Sequence, residues 1–556
     1  MNDWKKRGII YEIYPQSFKD TNGDGIGDLK GIIEKLPYIK KLGANIVWLT
    51  PIYQSPLIDN GYDISDYTKI NPIYGTMDDF NRLIELCHEK EIKLVMDLVV
   101  NHTSDQAKWF QESKKSRNNK YSDYYIWRDP KSDGSAPSNL GSAFGGSAWE
   151  YVKERGQYYL HLFAKKQPDL NWESTEMRQS LYDMMKFWLD KGVDGFRLDS
   201  ISLISKPNVF DDVPIEDNKN YGAYYYGSSN GTSLHEYLQE MNREVFSKYD
   251  VITIGETPHT TPKQAQKYIN LEKPELDMVL QFEHMHVDYG EYGRYSDLRF
   301  KLSDLRNSLV KWQNSLTWNT NYLGNHDQPR LVSRFGDDDK YRIESAKMLA
   351  MITMLQKGTP MIFQGDEIGM TNVAFESLNQ FKDIEAYNTY EFLVKKGLNK
   401  DIALKIVKNK SRDNSRTPMQ WNNEKNAGFS TANPWIKINN NYDKINVNET
   451  LRDEDSIYSF YQKLIKIRTK LKVAIDGDFN LISADDSSVF AYTRILKDRQ
   501  MLVIGSFSNK KVKFEIPNNI RNKESKRILS NYDDSPQNLS DIIYLRPYEG
   551  IVFDNG

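Results

Sequence analysis

Short apolar segments that alternate with amphipathic helical segments are the feature that most constrains the fold of this chain. Eight segments have the length and composition of buried strands, and stretches with helical periodicity separate them. The predicted strands span residues 9–14, 45–49, 93–99, 195–199, 251–255, 278–282, 319–323 and 361–364. Such alternation predicts an α/β fold with a parallel sheet, and eight repeats favour a (β/α)8 TIM barrel; a doubly wound sheet is the alternative.

Three further segments do not fit the repeat and indicate additional domains. Residues 102–172 are rich in Tyr, Ser, Asn and Gly and are too long for a simple loop, so we predict an inserted, loop-rich subdomain. A second insertion, 371–426, follows the eighth strand, and short β-like segments after residue 472 predict a C-terminal antiparallel β-sandwich. The expected domains are a barrel (1–101 and 173–472), the inserted subdomain (102–172) and the sandwich (473–556).

Charge and cysteine content exclude several classes of function. The formal net charge is −3, which gives no sign of a nucleic-acid groove or of binding to an anionic membrane surface. Cys87 is the single cysteine, so no intramolecular disulfide can form, and no apolar stretch of about 20 residues indicates a membrane anchor. We therefore expect a cytoplasmic protein, monomeric, that acts on small molecules.

Polar residues follow four of the predicted strands at the points where these strands end. In a parallel barrel the carboxyl ends of the strands lie on one face, where catalytic groups are found. The side chains that should meet there are Arg197, Asp199, Glu256 and Asp327, together with the histidines His102 and His326. Four such clusters at four strand ends favour a site over separate surface charges.

The residue types at this face favour acid–base chemistry at a glycosidic bond. A retaining glycosidase needs a carboxylate nucleophile and a carboxylic acid about 5 Å apart, on either side of an oxocarbenium-like transition state. Metal-dependent hydrolysis is the competing interpretation of an Asp/His cluster. Ligand spacings such as His-x-x-x-His or Cys-x-x-Cys are absent from the sequence, so the metal interpretation lacks support.

Seven short motifs make the chain resemble glycoside hydrolase family 13, the α-amylase family. Four match its signature regions in order and spacing: DLVVNH at 97–102, GFRLD at 195–199, GE at 255–256 and NHD at 325–327. Three more are similar to the oligo-1,6-glucosidase and α-glucosidase branch: QPDLN at 167–171, GDEIGMTN at 365–372 and SRDNSRTPMQW at 411–421. The resemblance extends over essentially the whole chain.

The resemblance assigns roles to the residues at the strand ends. It implies that Asp199 is the nucleophile and that Glu256 is the general acid and base. Asp327 is implied as the transition-state stabiliser. Arg197 lies two residues before Asp199 on the same side of the strand, so we expect its positive charge to hold Asp199 ionised. His102 and His326 are implied as ligands of the sugar hydroxyls.

Exo-action requires a closed pocket, and the resemblance implies which residues close it. In this branch an Asp and an Arg surround the terminal glucose, and the matching residues are Asp59 and Arg412. Tyr62 would stack on the sugar face, and Gln167 belongs to the same expected subsite. The alternative interpretation of Asp59 and Arg412 is an ordinary salt bridge between loops.

A loop after the first strand has the spacing of a metal site. Oxygen donors stand at positions 1, 3, 5 and 9, with a backbone carbonyl available at position 7, as in the first part of an EF-hand loop. The candidate ligands are Asp20, Asn22, Asp24, Ile26 and Asp28. Position 12 is Gly31 and lacks the bidentate Glu. We expect a structural Ca²⁺ or Mg²⁺, which the branch also has; a Gly/Asp-rich turn without metal is the alternative.

Substrate preference within the branch stays open at the level of sequence. Ser200 follows the nucleophile, where relatives that prefer α-1,6 bonds usually carry Val and those that prefer α-1,4 bonds carry a small or hydroxylated residue. We therefore expect action on isomaltose, maltose and sucrose. Trehalose-6-phosphate hydrolases and sucrose isomerases share the scaffold; Lys206 is a weak candidate for a phosphate site, and residues 331–336 resemble the hydrolases. Non-catalytic transporter partners, which have a membrane anchor and an incomplete triad, are the remote alternative.

Overall fold

Eight parallel strands form the centre of the molecule. The computed structural model describes residues 1–215, 219–521 and 524–556. The strands are β1 (Ile10–Ile13), β2 (Ile46–Leu49), β3 (Lys93–Val99), β4 (Gly195–Asp199), β5 (Ile252–Glu256), β6 (Met278–Leu280), β7 (Thr320–Asn321) and β8 (Thr359–Phe363). Their order in the sheet is β6-β5-β4-β3-β2-β1-β8-β7. Sequential strands are neighbours without the reversal of a doubly wound sheet.

The two ends of this sheet meet, so the barrel closes between β6 and β7. The Thr320 hydroxyl donates a hydrogen bond of 2.9 Å to the carbonyl of Val279, and the Tyr322 hydroxyl donates one of 2.6 Å to the carbonyl of Gln281. The predicted (β/α)8 barrel is therefore confirmed. The seventh strand is shorter than the predicted 319–323, and the eighth begins at residue 359 rather than 361.

One helix outside the barrel follows each strand in the chain. The helices are Leu29–Leu42, Met77–Glu89, Thr175–Asp190, Leu234–Glu244, Pro262–Tyr268, Leu302–Ser315, Arg342–Met354 and Ile457–Lys470. Side-chain caps fix several of their starts: Thr76 and Thr261 form capping boxes, and Ser174 accepts a hydrogen bond from the Met177 amide. These local signals explain why the helices begin where the polar turns end.

Two insertions lie on the face where the strands end. Between β3 and β4, the chain forms helix Lys108–Ser113 and a three-stranded sheet of Trp127–Arg128, Gln157–Leu160 and Trp149–Val152. After β8, helices Ile384–Lys395 and Lys400–Lys410 pack around a separate small apolar cluster. Tyr53–Gln54 and Asp66–Ile70 pair as a short hairpin before the second helix.

The C-terminal part is an antiparallel β structure, as predicted. Its main sheet has the strand order Asp478–Leu481, Val489–Leu496, Arg499–Ser506, Gly550–Asp554 and Lys526–Ser530, and Val512–Glu515 pairs with Ile542–Leu545. The predicted β-like segments were 488–494, 501–506, 512–516, 542–545 and 551–553. The two strands at the edges of the main sheet, 478–481 and 526–530, were not among them, because only one residue in each is buried. Shorter helices are Asp3–Lys6, Leu331–Phe335, Val447–Arg452 and Lys472–Asp476.

None of the helices in the described ranges combines the length and the apolar character that a membrane span requires.

Candidate active site

A single guanidinium group joins the carboxylates at the ends of β4 and β5. Arg197 Nη1 lies 2.8 Å from Asp199 Oδ1 and 2.8 Å from Asp97 Oδ1, and its Nη2 contacts Glu256 Oε1. All four residues are buried. Arg197 and Asp199 lie on the same side of β4 because side chains alternate along a strand. One planar fork therefore holds the two expected catalytic carboxyls side by side.

Burial makes both of these carboxyls weaker acids than a carboxyl group in water. Burial raises the pKa of Asp199 to about 7 and that of Glu256 to about 7, while the positive charge of Arg197 acts in the opposite direction on each. Burial therefore opposes the expected effect of Arg197, which was to hold Asp199 ionised. The negative charge of Asp199 also raises the pKa of Glu256. A retaining mechanism requires one carboxylate and one carboxylic acid, and mutual repulsion between two buried carboxyls favours that state.

Ser200 contacts the second carboxyl of this pair. Its backbone N–H donates a hydrogen bond of 2.7 Å to Glu256 Oε2, and its hydroxyl lies 3.3 Å from the same oxygen. Ser200 has φ +43°, in the left-handed region. The turn directs its side chain towards Glu256. The side of the site where the leaving sugar is expected is therefore the side that Ser200 faces.

Asp327 is ionised by its surroundings. Arg416 Nη2 lies 2.7 Å and Arg412 Nη1 3.1 Å from Asp327 Oδ1, and His326 Nε2 lies 3.2 Å from Oδ2. Burial opposes ionisation, but the three cations outweigh it and hold the pKa of Asp327 well below its ordinary value. The Arg294 side chain also donates to the Asp327 carbonyl at 2.5 Å. Asp327 therefore presents a permanent negative charge on this face.

The remaining predicted sugar ligands form one connected group. The Tyr62 hydroxyl lies 2.8 Å from His326 Nε2 and 3.0 Å from Asp97 Oδ2, and its ring is parallel to that of His326 at 5.5 Å. Gln167 Nε2 lies 3.0 Å from Asp59 Oδ2 and 3.1 Å from His102 Nε2. The structure thus brings together every predicted catalytic and substrate-binding residue.

Arg412 has a stronger partner than the one expected from sequence. It lies 3.6 Å from Asp59, but its Nε and Nη2 contact Asp383 at 2.8 and 2.6 Å, in a bidentate pair. Glu385 Oε2 lies 3.3 Å from Arg412 Nε. Asp383 and Glu385 were missed because their segment, within the second insertion, carries no recognisable motif.

Lys206 is not available to a phosphate. Its ammonium group lies 2.8 Å from Asp169 Oδ2 and also contacts Asn101 and the carbonyl of Leu203. Lys206 is buried, so this ion pair fixes the inserted segment to the ends of β3 and β4. Asn101 lies just before the inserted segment and Asp169 lies near its end. Lys206 contacts both residues, which accounts for the burial of its side chain.

The side chains of the candidate metal loop bond to nearby backbone amides. Asp20 accepts from the amides of Gly23 and Gly25, Asn22 accepts from Asp24, and Asp24 accepts from Ile26. Asp28 caps the helix Leu29–Leu42. Within the described ranges, no three His, Cys, Asp or Glu side chains are arranged to hold a metal. The donors are all oxygens, which fits a hard cation, but two of the five are an amide and a carbonyl.

Comparisons with known proteins agree with this geometry. The model of the α-amylase catalytic domain matches residues 12–477, and that of the α-amylase SusG C-terminal domain matches 489–552. An oligo-1,6-glucosidase of Parageobacillus thermoglucosidasius is 51% identical over 99% of this chain and 98% of its own.

Solved structures of related enzymes have the same fold. A trehalose-6-phosphate hydrolase of Bacillus licheniformis superposes with a TM-score of 0.95 at 47% identity, covering 100% of both chains. The trehalulose synthase of Pseudomonas mesoacidophila superposes with a TM-score of 0.95 at 42% identity and covers 99% of each chain. With its catalytic-domain match and its full-length likeness to oligo-1,6-glucosidases, this chain belongs to the α-amylase family of glycoside hydrolases, in the oligo-1,6-glucosidase branch.

Proposed function

We propose that this enzyme is a retaining exo-α-glucosidase that removes the terminal non-reducing glucose from short oligosaccharides such as isomaltose, maltose and sucrose. The observation that carries the proposal is the guanidinium of Arg197, which contacts both Asp199 and Glu256 and so holds the two carboxyls side by side. Two carboxyls about 5 Å apart carry out a double displacement through a covalent glucosyl-enzyme.

Each carboxylate then has a role that its surroundings support. Asp199 attacks the anomeric carbon, while Glu256 protonates the leaving oxygen and afterwards removes a proton from water. Asp327 stays ionised and stabilises the positive charge of the transition state while it binds ring hydroxyls. Tyr62, His102 and His326, with Gln167, Asp59 and Arg412, bind the glucose hydroxyls.

The charges at the pocket mouth favour a neutral sugar over a phosphorylated one. Arg412 pairs with Asp383, Arg294 lies 3.2 Å from Glu385, and Lys206 pairs with Asp169. Each of these cations already has a carboxylate partner, so binding a phosphate would leave buried negative charge without compensation. This supports an oligoglucosidase over the second candidate, a trehalose-6-phosphate hydrolase. The second candidate is considered because the chain is similar to the Bacillus licheniformis enzyme.

A hydrolysis panel with two variants tests the proposal. We expect the wild type to hydrolyse isomaltose, maltose and sucrose, to release α-glucose first by NMR, and to act poorly on starch and trehalose 6-phosphate. Asp199→Ala and Glu256→Gln should each lose several orders of magnitude in kcat and stay folded. Initial release of β-glucose, or near-native turnover by a folded Asp199→Ala enzyme, would contradict the mechanism; preference for trehalose 6-phosphate would favour the second candidate.

We further propose a structural Ca²⁺ or Mg²⁺ in the loop 20–28, bound by the side chains of Asp20, Asn22, Asp24 and Asp28 and by the Ile26 carbonyl. An ion there would stabilise the folded chain by binding it in preference to the unfolded one. Asp24 is exposed and engages only loop neighbours, Asn22 and Ile26, which supports a role in binding an ion rather than in packing.

Thermal unfolding with and without chelator tests the metal. Added Ca²⁺ should raise the Tm of the wild type, and Asp24→Ala should abolish that rise while turnover at mild temperature changes little. Asp133→Ala, another exposed loop aspartate, serves as the control and should keep the response. A calcium response that is equal in wild type and Asp24→Ala, or absent from both, would show that this loop binds no such ion.

The proposed setting is the cytoplasm, with the enzyme acting as a monomer on small oligosaccharides. The sole cysteine, Cys87, is buried in the helix Met77–Glu89, and burial raises the pKa of its thiol to about 12. Such a thiol is unreactive, which is compatible with either redox state of the medium. Sedimentation velocity and cell fractionation test the two parts of this proposal.

A further inference from the structure

Glu12 is a buried acid on β1 that the proposed mechanism does not use. It is fully inaccessible to solvent, and it lies directly behind His326. Glu12 Oε1 is 2.6 Å from His326 Nδ1 and 3.3 Å from the backbone N of the same residue. Its other oxygen, Oε2, has no hydrogen-bond partner among the described residues. The two N–H groups of His326 thus converge on one oxygen of Glu12.

His326 has a carboxylate beside each of its ring nitrogens. Nδ1 faces Glu12, and Nε2 lies 3.2 Å from Asp327 Oδ2 and 2.8 Å from the Tyr62 hydroxyl. A ring nitrogen attracts a carboxylate when it carries a hydrogen, so a carboxylate on each side favours the imidazolium form over either neutral tautomer. An ionised Glu12 in this place is tolerated only with a cation against it, because a buried unpaired charge is very unfavourable.

We propose that Glu12 is a positioning residue: it keeps His326 in the imidazolium form, with its Nε2–H directed at Asp327 and at the sugar hydroxyl bound beside it. The inference rests on the proposed function for the identity of the ligand, and on the geometry of Glu12 and His326 for everything else. Glu12 itself does not contact the sugar; it acts through His326.

Charged and titratable groups on other elements surround His326 and act in both directions. Asp97 on β3 and Asp327 after β7 favour a cation at this point. Arg197 on β4 and Arg416, whose Nε lies 3.0 Å from the His326 carbonyl, oppose it, and the Tyr62 hydroxyl after β2 contacts Nε2. Burial lowers the pKa of His326, but Asp327 and Glu12 outweigh it and raise the pKa to about 9. The positive charge is therefore present at neutral pH and is lost as the pH rises through this value.

Glu12→Gln tests the proposal with little change of shape. The amide oxygen can still accept from Nδ1, but its negative charge is gone, so the pKa of His326 should fall. We expect the pKa of His326 to fall by about 1–2 units, because only one of its two carboxylate neighbours, Asp327, is then left beside the ring. In ¹⁵N NMR of histidine-labelled enzyme, with His326 assigned from a His326→Asn sample, the ring should titrate at a correspondingly lower pH.

Two further variants separate this effect from a loss of stability. Glu367→Gln removes another fully buried carboxylate, which accepts from the Tyr11 and Tyr38 hydroxyls, and should leave the titration of His326 unchanged. Glu12→Asp keeps the charge and should keep the pKa of His326 near its wild-type value.

The NMR titration does not require turnover, so it tests Glu12 even if the proposed substrates fail. An unchanged His326 titration in Glu12→Gln, or a His326 titration displaced equally by Glu367→Gln, would overturn the proposal.

Discussion

At the scale of single residues, the backbone after the nucleophile decides what Ser200 can do. Its φ of +43° is uncommon for a residue other than Gly and is least favourable for β-branched side chains. That turn brings both its N–H and its hydroxyl to Glu256 Oε2. Position 200 therefore lies beside the acid that protonates the leaving oxygen, where its size affects the leaving sugar more than the glucose in the pocket.

Ser200→Val should raise the ratio of kcat/KM for isomaltose to that for maltose. Two methyl groups narrow the space for a 4-linked sugar, and one apolar contact of this kind changes the ratio by about 10- to 200-fold. Strain at a positive φ should also lower the free energy of unfolding by roughly 1–3 kcal/mol. Ser200→Ala, which removes the hydroxyl without adding bulk, is the control and should leave the ratio nearly unchanged. A flat or falling ratio in Ser200→Val would remove position 200 from linkage selection.

At the scale of elements, the pocket mouth is built by three segments that are far apart in the chain. Asp383 caps the helix Ile384–Lys395 and holds Arg412, which follows the next helix. The guanidinium of Arg412 lies 5.4 Å from the ring of Phe144 in the inserted subdomain. The Asn388 side chain donates to the Phe144 carbonyl at 2.9 Å. The helix Ile384–Lys395 therefore links Arg412, the residue proposed to close the pocket, to the inserted subdomain.

Asp383→Asn should weaken substrate binding by releasing Arg412. Loss of one partner of a buried ion pair leaves the other charge uncompensated, so we expect kcat/KM for isomaltose to fall at least about tenfold, mainly through KM. Glu376→Gln is the matched control, because Glu376 lies in the same insertion and is largely exposed. Steady-state kinetics on both variants check this; an unchanged KM in Asp383→Asn would mean that the remaining carboxylates, Asp59, Asp327 and Glu385, suffice to position Arg412.

At the scale of the whole molecule, a buried arginine joins the C-terminal sheet to the barrel. Arg494 is inaccessible to solvent and donates to the carbonyls of Leu355, Ala474, Ile475 and Gly477. These carbonyls lie at the ends of two helices, Arg342–Met354 and Lys472–Asp476, where backbone acceptors lack partners within the helix. One side chain thus satisfies the ends of both helices from the neighbouring sheet.

Arg494→Met should destabilise the fold without altering the chemistry. It leaves several buried carbonyls unpaired, at roughly 1–3 kcal/mol each, so unfolding in urea should begin at a clearly lower concentration. At urea concentrations below the onset of unfolding, kcat/KM of this variant should equal that of the wild type. Arg499→Met on the adjoining strand is the comparison: its pair with Asp554 is partly exposed, and its loss should cost at most about 1 kcal/mol. Equal midpoints for the two variants would contradict the role of Arg494.

The barrel and the three acidic residues of the site could be predicted from the sequence. Buried strands and amphipathic helices are set by local periodicity, so the eight strands were predictable to within a few residues. The family motifs placed Asp199, Glu256 and Asp327 at strand ends, and the barrel brings strand ends together. The edge strands of the C-terminal sheet could not be predicted, because their residues are mostly exposed and show little apolar alternation.

The partner of each buried charged side chain follows from the packing of the folded chain and is not visible in the sequence. Glu12 lies 314 residues from His326, and Asp383 lies 29 residues from Arg412, so neither pair has a local signal. Their contacts follow from the packing of separate elements around one buried space. There, water no longer screens the charges, and each must find an opposite partner or a proton. The sequence thus specified the reacting groups, while the packed fold fixed their partners and protonation.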